Sequence, residues 1–272
     1  MLSPLVNTTH CPNKGLWKYG NEDGRARTVL ALDGTNDYAV ASFFDDLEGA
    51  NSFTLAMRFK LDGAQTSGTK LFQHGDEVYS DPAFMLLELV TSGGDQHLRL
   101  HWFHGAEKSA MNDLPDFTNT DYHNRWMNLI IRWDKDTDDG RLSYRLEDNI
   151  LAGERDYWAL STISSYAHTS AIPALSGTDD QQKCVIGAHH IEGLGTIQHF
   201  DGKIADVALW DSRLTDAEAD MYYAGFSPTG IANANLKHYW DLSGSGEDYG
   251  TATTRDEADI STVNGADLSG EV

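Results

Sequence analysis

Cysteine is nearly missing from this sequence: Cys11 and Cys184 are the two in 272 residues. They stand far apart and neither belongs to a CxxC pair, so no disulfide framework and no cysteine metal knuckle is encoded. Both are expected as buried or free thiols. Positive charge is also scarce, since 20 Lys and Arg against 42 Asp and Glu leave a formal net charge of −22. A chain of that sign repels phosphate backbones and anionic membrane surfaces, which argues against nucleic acid and against membrane partners. Long apolar runs are lacking. Nothing approaches the roughly 18 apolar residues of a membrane-spanning helix, and the stretch 127–133 is interrupted by Asn128 and Arg132. The opening MLSPLVNTTHCPNKG has neither the basic start nor the apolar stretch of an export signal, so none is expected.

Catalytic signatures are missing as well. There is no GxSxG elbow, no HExxH, no phosphate loop and no local Cys/His pair. Asp216, Glu218 and Asp220 have alternate spacing, but they fall in a predicted helix, where i and i+2 point apart, and read as a solvated face. Eleven histidines invite a metal site. On strands, however, His101 and His104 point to opposite faces, as do His189 and His190, so neither pair converges. No enzymatic activity is expected.

What the chain does have is a succession of short β-type runs punctuated by Gly, Asp, Asn and Ser. SFTLAMRFKL (52–61) places Phe53, Leu55, Met57, Phe59 and Leu61 on one face, and HLRLHWF (97–103) does the same with Leu98, Leu100 and Trp102. NLIIRW (128–133) and RLSYRL (141–146) flank DKDTDDG, whose Asp/Gly chemistry is that of a hairpin loop, so they should pair antiparallel. Strands are also predicted at 183–187 and 203–210. One helix is predicted, at 215–223, with Thr215 as cap and Glu218 completing a capping box. Trp126, Trp133, Trp210 and Trp240 lie on predicted strands and are expected in the core. Residues 244–272 are polar and Gly-bearing and should hold one strand at most.

Several of these segments, in order, resemble the laminin-G-like jelly-roll family, which is related to legume lectins, pentraxins and concanavalin A-like glucanases. They are LALDGTNDYAV (30–40), SFTLAMRFKLDG (52–63), RWMNLIIRWD (125–134) followed by RLSYRLEDNI, FDGKIADVALWDSRLTDAEADMYYAG (200–225) and LKHYWDLSGSG (236–246). Glu147, Asp148 and Asn149 stand where the family has a Gly turn. The resemblance implies an all-β, two-sheet antiparallel jelly-roll sandwich with one short helix. It spans residues 28–246, leaving an N-terminal extension at 1–27 and a polar C-terminal segment at 247–272.

Many members of that family bind calcium, and the resemblance assigns a site here to Asp33, Gly34 and Asp37 in an early loop with Asp206 from a late strand. Asp206 alternates with Ile204 and Ala208, so it is expected on an apolar face, where an unpaired carboxylate is costly. It therefore needs a partner: calcium, backbone N–H groups, or an Arg or Lys. A sugar site needs an aromatic platform among polar groups. Tyr157, Trp158 and Tyr166 in one segment and Tyr79 in another supply this, as do Trp17 and Tyr19, although aromatics that close a sandwich edge or meet another subunit look the same in sequence. The function expected is non-catalytic: a bacteriophage virion component such as a fibre, tail or capsid-decorating module. Its partners would be other virion proteins, its own copies in a symmetric oligomer held by the tails, and a cell-surface glycan. The alternatives are a secreted or cell-surface carbohydrate-binding module at an extracellular site, and, behind it, a glycoside hydrolase.

Overall fold

A computed structural model describes residues 28–42, 45–75, 83–92, 95–104, 107–111, 123–148, 159–160, 168–173, 183–191, 195–242, 261–263 and 267–271. In chain order the early strands are β1 (Thr28–Asp33), β2 (Tyr38–Ser42), β3 (Ser52–Leu61), β4 (Thr69–His74), β5 (Ala83–Ser92), β6 (Asp95–His104) and β7 (Glu107–Met111). The middle of the chain gives β8 (Trp126–Asp134), β9 (Ser143–Asp148), β10 (Ala159–Leu160), β11 (Lys183–Ile186), β12 (His189–Ile191), β13 (Gly195–Ile197) and β14 (Asp201–Trp210). Helix α1 (Asp216–Tyr223) follows, then β15 (Leu236–Trp240), β16 (Ser261–Val263) and β17 (Asp267–Glu271).

These strands form two antiparallel sheets stacked as a sandwich. The first runs β10-β9-β8-β3-β14-β1-β17, with β15 joining β14 alongside β1; the second runs β16-β2-β11-β4-β5-β6-β7. A separate two-stranded hairpin is made by β12 and β13. The fold is thus the all-β jelly roll with a single helix among the described residues.

The core lies where the two inner faces meet. Alternation on β3 sends Phe53, Leu55, Met57, Phe59 and Leu61 inward, and each is fully buried. From the second sheet, Leu98, Leu100 and Trp102 of β6 meet them. Trp102 stands edge-on to Trp133 at 4.7 Å between ring centres and to Phe53 at 5.1 Å, the offset geometry that aromatic quadrupoles favour. Trp133 keeps its indole N–H satisfied at the carbonyl of Gly140, 3.0 Å away. Trp133, Trp210 and Trp240 are buried as expected, whereas Trp126, at the start of β8, is only half-buried. β8 and β9 pair antiparallel, and in the turn between them Asp138, Asp139 and Gly140 all take left-handed backbone angles. Asp and Gly are the residues that tolerate that region.

A second apolar cluster covers the outer face of the first sheet. Ala56 and Ala208 oppose each other across β3 and β14, and the small pair leaves room for Ala219, Tyr222 and Tyr223 of α1 to settle beside Trp210. An eight-residue helix is too short to persist alone, so its stability is borrowed from this contact. Three arginines on the outer face hold it in place. Arg58 reaches the carbonyl of Tyr222, Arg132 pairs with Asp216 at 2.7 Å, and Arg145 pairs with Asp220 at 2.7 Å. Asp216 and Asp220 are solvent-exposed and Glu218 is half-buried, yet the two aspartates dock the helix and Glu218 closes the capping box with Thr215. Thr215→Ala removes the oxygen that accepts from the Glu218 N–H, and urea denaturation should show a loss of about 1 kcal/mol.

The C-terminal segment departs from expectation. It holds two strands, and each closes an edge of a different sheet: β17 pairs with β1, and β16 pairs with β2. STV and DLSGE carry no long apolar pattern because edge strands are held by backbone hydrogen bonds and need bury little side chain. Residues 1–27 lie outside the described residues. Among the described residues no helix is long and apolar enough to cross a membrane.

Candidate functional site

Two outer faces carry buried charge, and they differ in what the charge accomplishes. On the first sheet, Arg58 donates to Asp206 at 2.6 Å, to Asn128 at 3.0 Å and to the Tyr222 carbonyl at 2.8 Å, while the Tyr222 hydroxyl donates to the other Asp206 oxygen at 2.7 Å. The guanidinium also lies 4.2 Å over the Tyr222 ring. Every group here ties α1 to the sheet. This network is architectural.

Asp206 is therefore not brought to the Asp33–Gly34–Asp37 loop. A bulge between Ile204 and Asp206 inserts one residue into β14, so Ile204 faces the sandwich core while Asp206 turns to the outer face with Ala208 and Trp210. Simple alternation could not show this, because a bulge reverses the parity of every later residue. Asp206's partner is arginine, one of the alternatives the sequence left open. The loop instead closes on Asp201, roughly 16 Å further back along the strand at about 3.3 Å per residue. Gly34 donates to the Phe200 carbonyl at 3.1 Å, and a Cβ at Gly34 would stand 2.8 Å from that of Asp201. Within the loop, Asp33 accepts from the Thr35 N–H at 2.8 Å and Asp37 from the Asp33 N–H at 3.3 Å. Burial, with Asp62 and Asp33 close by, raises the Asp201 carboxyl; burial and Asp33 do the same to Asp37. Among the described residues, no group of three or more His, Cys, Asp or Glu side chains is arranged to hold a metal.

The outer face of the second sheet carries the array that sequence reasoning missed. Glu88 of β5 lies opposite Lys70 of β4 and Arg99 of β6, and Leu86 lies opposite His101. Lys70 Nζ donates to Glu88 Oε2, His101 Nε2 lies 2.7 Å from Oε1, and an Arg99 nitrogen is 3.8 Å from Oε1. Lys70 and Glu88 are buried although they face away from the core. Burial alone would raise the Glu88 carboxyl; hydrogen bonds from His101 and Lys70, with their charges, outweigh it and bring the group down from 4.5 to about 2. His101 Nδ1 is buried and has no hydrogen-bond partner among the described residues. Beside the array, Gln73 is fully buried and clamps the β12–β13 hairpin by accepting from the His190 N–H at 2.7 Å and donating to its carbonyl at 2.9 Å. The hairpin's other end is fixed where Lys70 N–H donates to the Gln198 carbonyl at 3.1 Å. The hairpin thus walls one side of the face.

The signal for this array was present in HLRLH, whose alternation leaves His97, Arg99 and His101 together opposite the inward leucines. What sequence could not supply is the pairing of β6 with β5 and of β5 with β4 that brings Glu88 between them. Tyr79, Tyr157, Trp158 and Tyr166, expected at a sugar platform, lie outside the described residues, as do Trp17 and Tyr19.

No family model matches the sequence, and no curated protein matches it. Solved structures do. A putative carbohydrate binding protein from Bacteroides ovatus ATCC 8483 is 18% identical with a TM-score of 0.54, over 88% of this chain and 59% of that one. The fold is the antiparallel jelly-roll sandwich. A native heptameric SAP-like pentraxin from Limulus polyphemus is 16% identical with a TM-score of 0.44, over 70% of this chain and 79% of that one. The enzymatically active domain of tailspike protein 2 from bacteriophage CBA120 is 15% identical with a TM-score of 0.47, over 78% and 33%. Of these three the first alone scores above 0.5, and at its identity the likeness is one of fold.

Proposed function

We propose that the protein is a carbohydrate-binding module without catalytic activity, and that its ligand lies across the outer face of the second sheet beside the β12–β13 hairpin. The observation that carries this is the buried Lys70–Glu88–His101 array. Taking charges out of water costs several kcal/mol per ion, and a well-packed apolar replacement is often more stable. On the first sheet such a network has a docking role. On the second, no element among the described residues is docked by it, and recognition of a polar ligand is the use we assign to it. Sugars suit it, since their hydroxyls are read by a few fixed donors and acceptors.

The same geometry favours binding over hydrolysis. Glycoside cleavage takes two carboxyl groups about 5–10 Å apart, one of which donates a proton. Glu88, brought down to about 2, has no proton to give at neutral pH. This reading applies equally to the virion and the extracellular setting expected from the sequence, since both bring a module against glycan-coated surfaces.

A glycan array probed with the full chain tests it. Binding to a defined glycan class is expected, weakened about tenfold or more by His101→Ala, with no reducing ends released from the bound glycan. Absence of binding across the array, or binding indifferent to His101→Ala, would overturn the reading.

A further inference from the structure

We infer that two copies of this chain exchange the arm at residues 261–271, so that β16 and β17 of one copy complete the β2 and β1 margins of the other. The two strands of the arm end different sheets: β16 stands last beside β2, and β17 stands last beside β1. Residues 264–266 are all that separate them, so the arm joins the sheet margins as one clip. Among the described residues, β16 pairs with β2 alone and β17 with β1 alone. Strand pairing is made by main-chain groups, which are the same in every copy, so these margins accept a second copy's arm as readily as their own.

What favours exchange is the way the chain leaves the core. β15 ends at Trp240, and Leu242, just beyond it, is fully buried yet takes φ 47°. For a bulky side chain the left-handed region is an outlier, because its Cβ crowds the following carbonyl. A chain that runs on to a second copy has no need to turn back at this point, so exchange lets the bend open, and strain at a hinge invites swapping. Reach is sufficient as well. Residues 243–260, extended at about 3.3 Å each, cover roughly 60 Å, beyond the roughly 50 Å width of a domain of this length. The Lys70–Glu88–His101 array lies on β4, β5 and β6, on the far side of β11 from the β2 margin, so the joint leaves it clear. An exchanged pair carries two such arrays on one particle, which raises avidity for a repeating ligand.

Single cysteines on separate chains test this. Thr28 faces Glu271 and Tyr38 faces Val263 in register, and opposed residues of antiparallel strands lie close enough for a disulfide. Two full-length chains with different tags, both carrying Cys11→Ser, one with Thr28→Cys and the other with Glu271→Cys, are produced together; Cys184 is buried and stays. Work at 0.15 M salt limits the repulsion between two chains of −22 each to about 8 Å. Mild oxidation should join the two tags in one species of twice 30.0 kDa by light scattering. Tyr38→Cys with Val263→Cys should do the same, whereas the mismatched Thr28→Cys with Val263→Cys should not. A 30.0 kDa monomer in which one chain carrying both Thr28→Cys and Glu271→Cys closes the bond within itself would overturn the exchange. A dimer that neither matched pair joins would overturn it too, by placing the contact elsewhere, and equal joining of the mismatched pair would reduce the result to chance oxidation and overturn it as well.

Discussion

Asp206→Asn should cost about 3–5 kcal/mol of stability, and the loss should be the same in calcium and in EDTA. The substitution keeps the shape of the side chain and an oxygen for the Tyr222 hydroxyl, but it removes the negative charge facing Arg58, whose side chain is 4% exposed. A guanidinium so deeply buried has little water to turn to, and the bonds described above to Asn128 and to the Tyr222 carbonyl are with neutral groups. For a chain of this size a drop of roughly 10 °C or more in melting temperature corresponds. A loss that appears only when calcium is present would restore Asp206 as a ligand. Replacing Arg58 and Asp206 together with apolar residues of similar volume should recover most of the loss, because the cost lies in the unpaired charge rather than in the missing bond.

Glu88→Gln should have an effect of comparable size that depends on pH. The folded carboxyl stands at about 2 against an ordinary 4.5, so the folded state releases its proton more readily than the unfolded state. The resulting stability is present in full above pH 4.5 and is lost as the pH falls towards 2. The difference in unfolding free energy between the natural protein and Glu88→Gln should therefore be about 2–3 kcal/mol at pH 7 and close to zero near pH 2. Measuring the difference matters, because Asp37 and Asp201 shift the other way. Their carboxyls are raised, so each gives back stability as it takes up its proton on acidification, and the natural protein alone would show the two trends mixed. A difference that stays constant from pH 7 to pH 2 would mean that Glu88 is not held by charge.

Both effects lie where sequence reasoning was weakest, for a common reason. Elements governed by local pattern were legible: the five inward apolar residues of β3, and the Thr215–Glu218 capping box that opens α1. Features set by strand neighbours were not. Asp206 keeps the apolar neighbour Ala208 but not Ile204, because the bulge in β14 leaves no mark on composition or alternation. Lys70 sits in TKLFQH, a strand buried along its whole length, with a second bulge between Lys70 and Phe72, so alternation assigns it no face. Its partner is 18 residues away. The C-terminal strands escaped for a different reason: edge pairing is a backbone transaction, and STV and DLSGE advertise nothing with their side chains.

That last feature bears on how the molecule comes into being. Thr28 is matched with Glu271 and Tyr38 with Val263, so the earliest of the described strands are completed by the latest of them. Until residues 261–271 are available, β1 and β2 each present an open row of N–H and C=O groups to whatever extended chain is nearby. Contacts that span so much of the sequence slow folding, and the growing chain must carry two unfinished sheet margins until residues 261–271 emerge. Loss of a few residues at 261–271 would uncover both margins at once. Such a shortened chain would be prone to self-association even with its aromatic core intact.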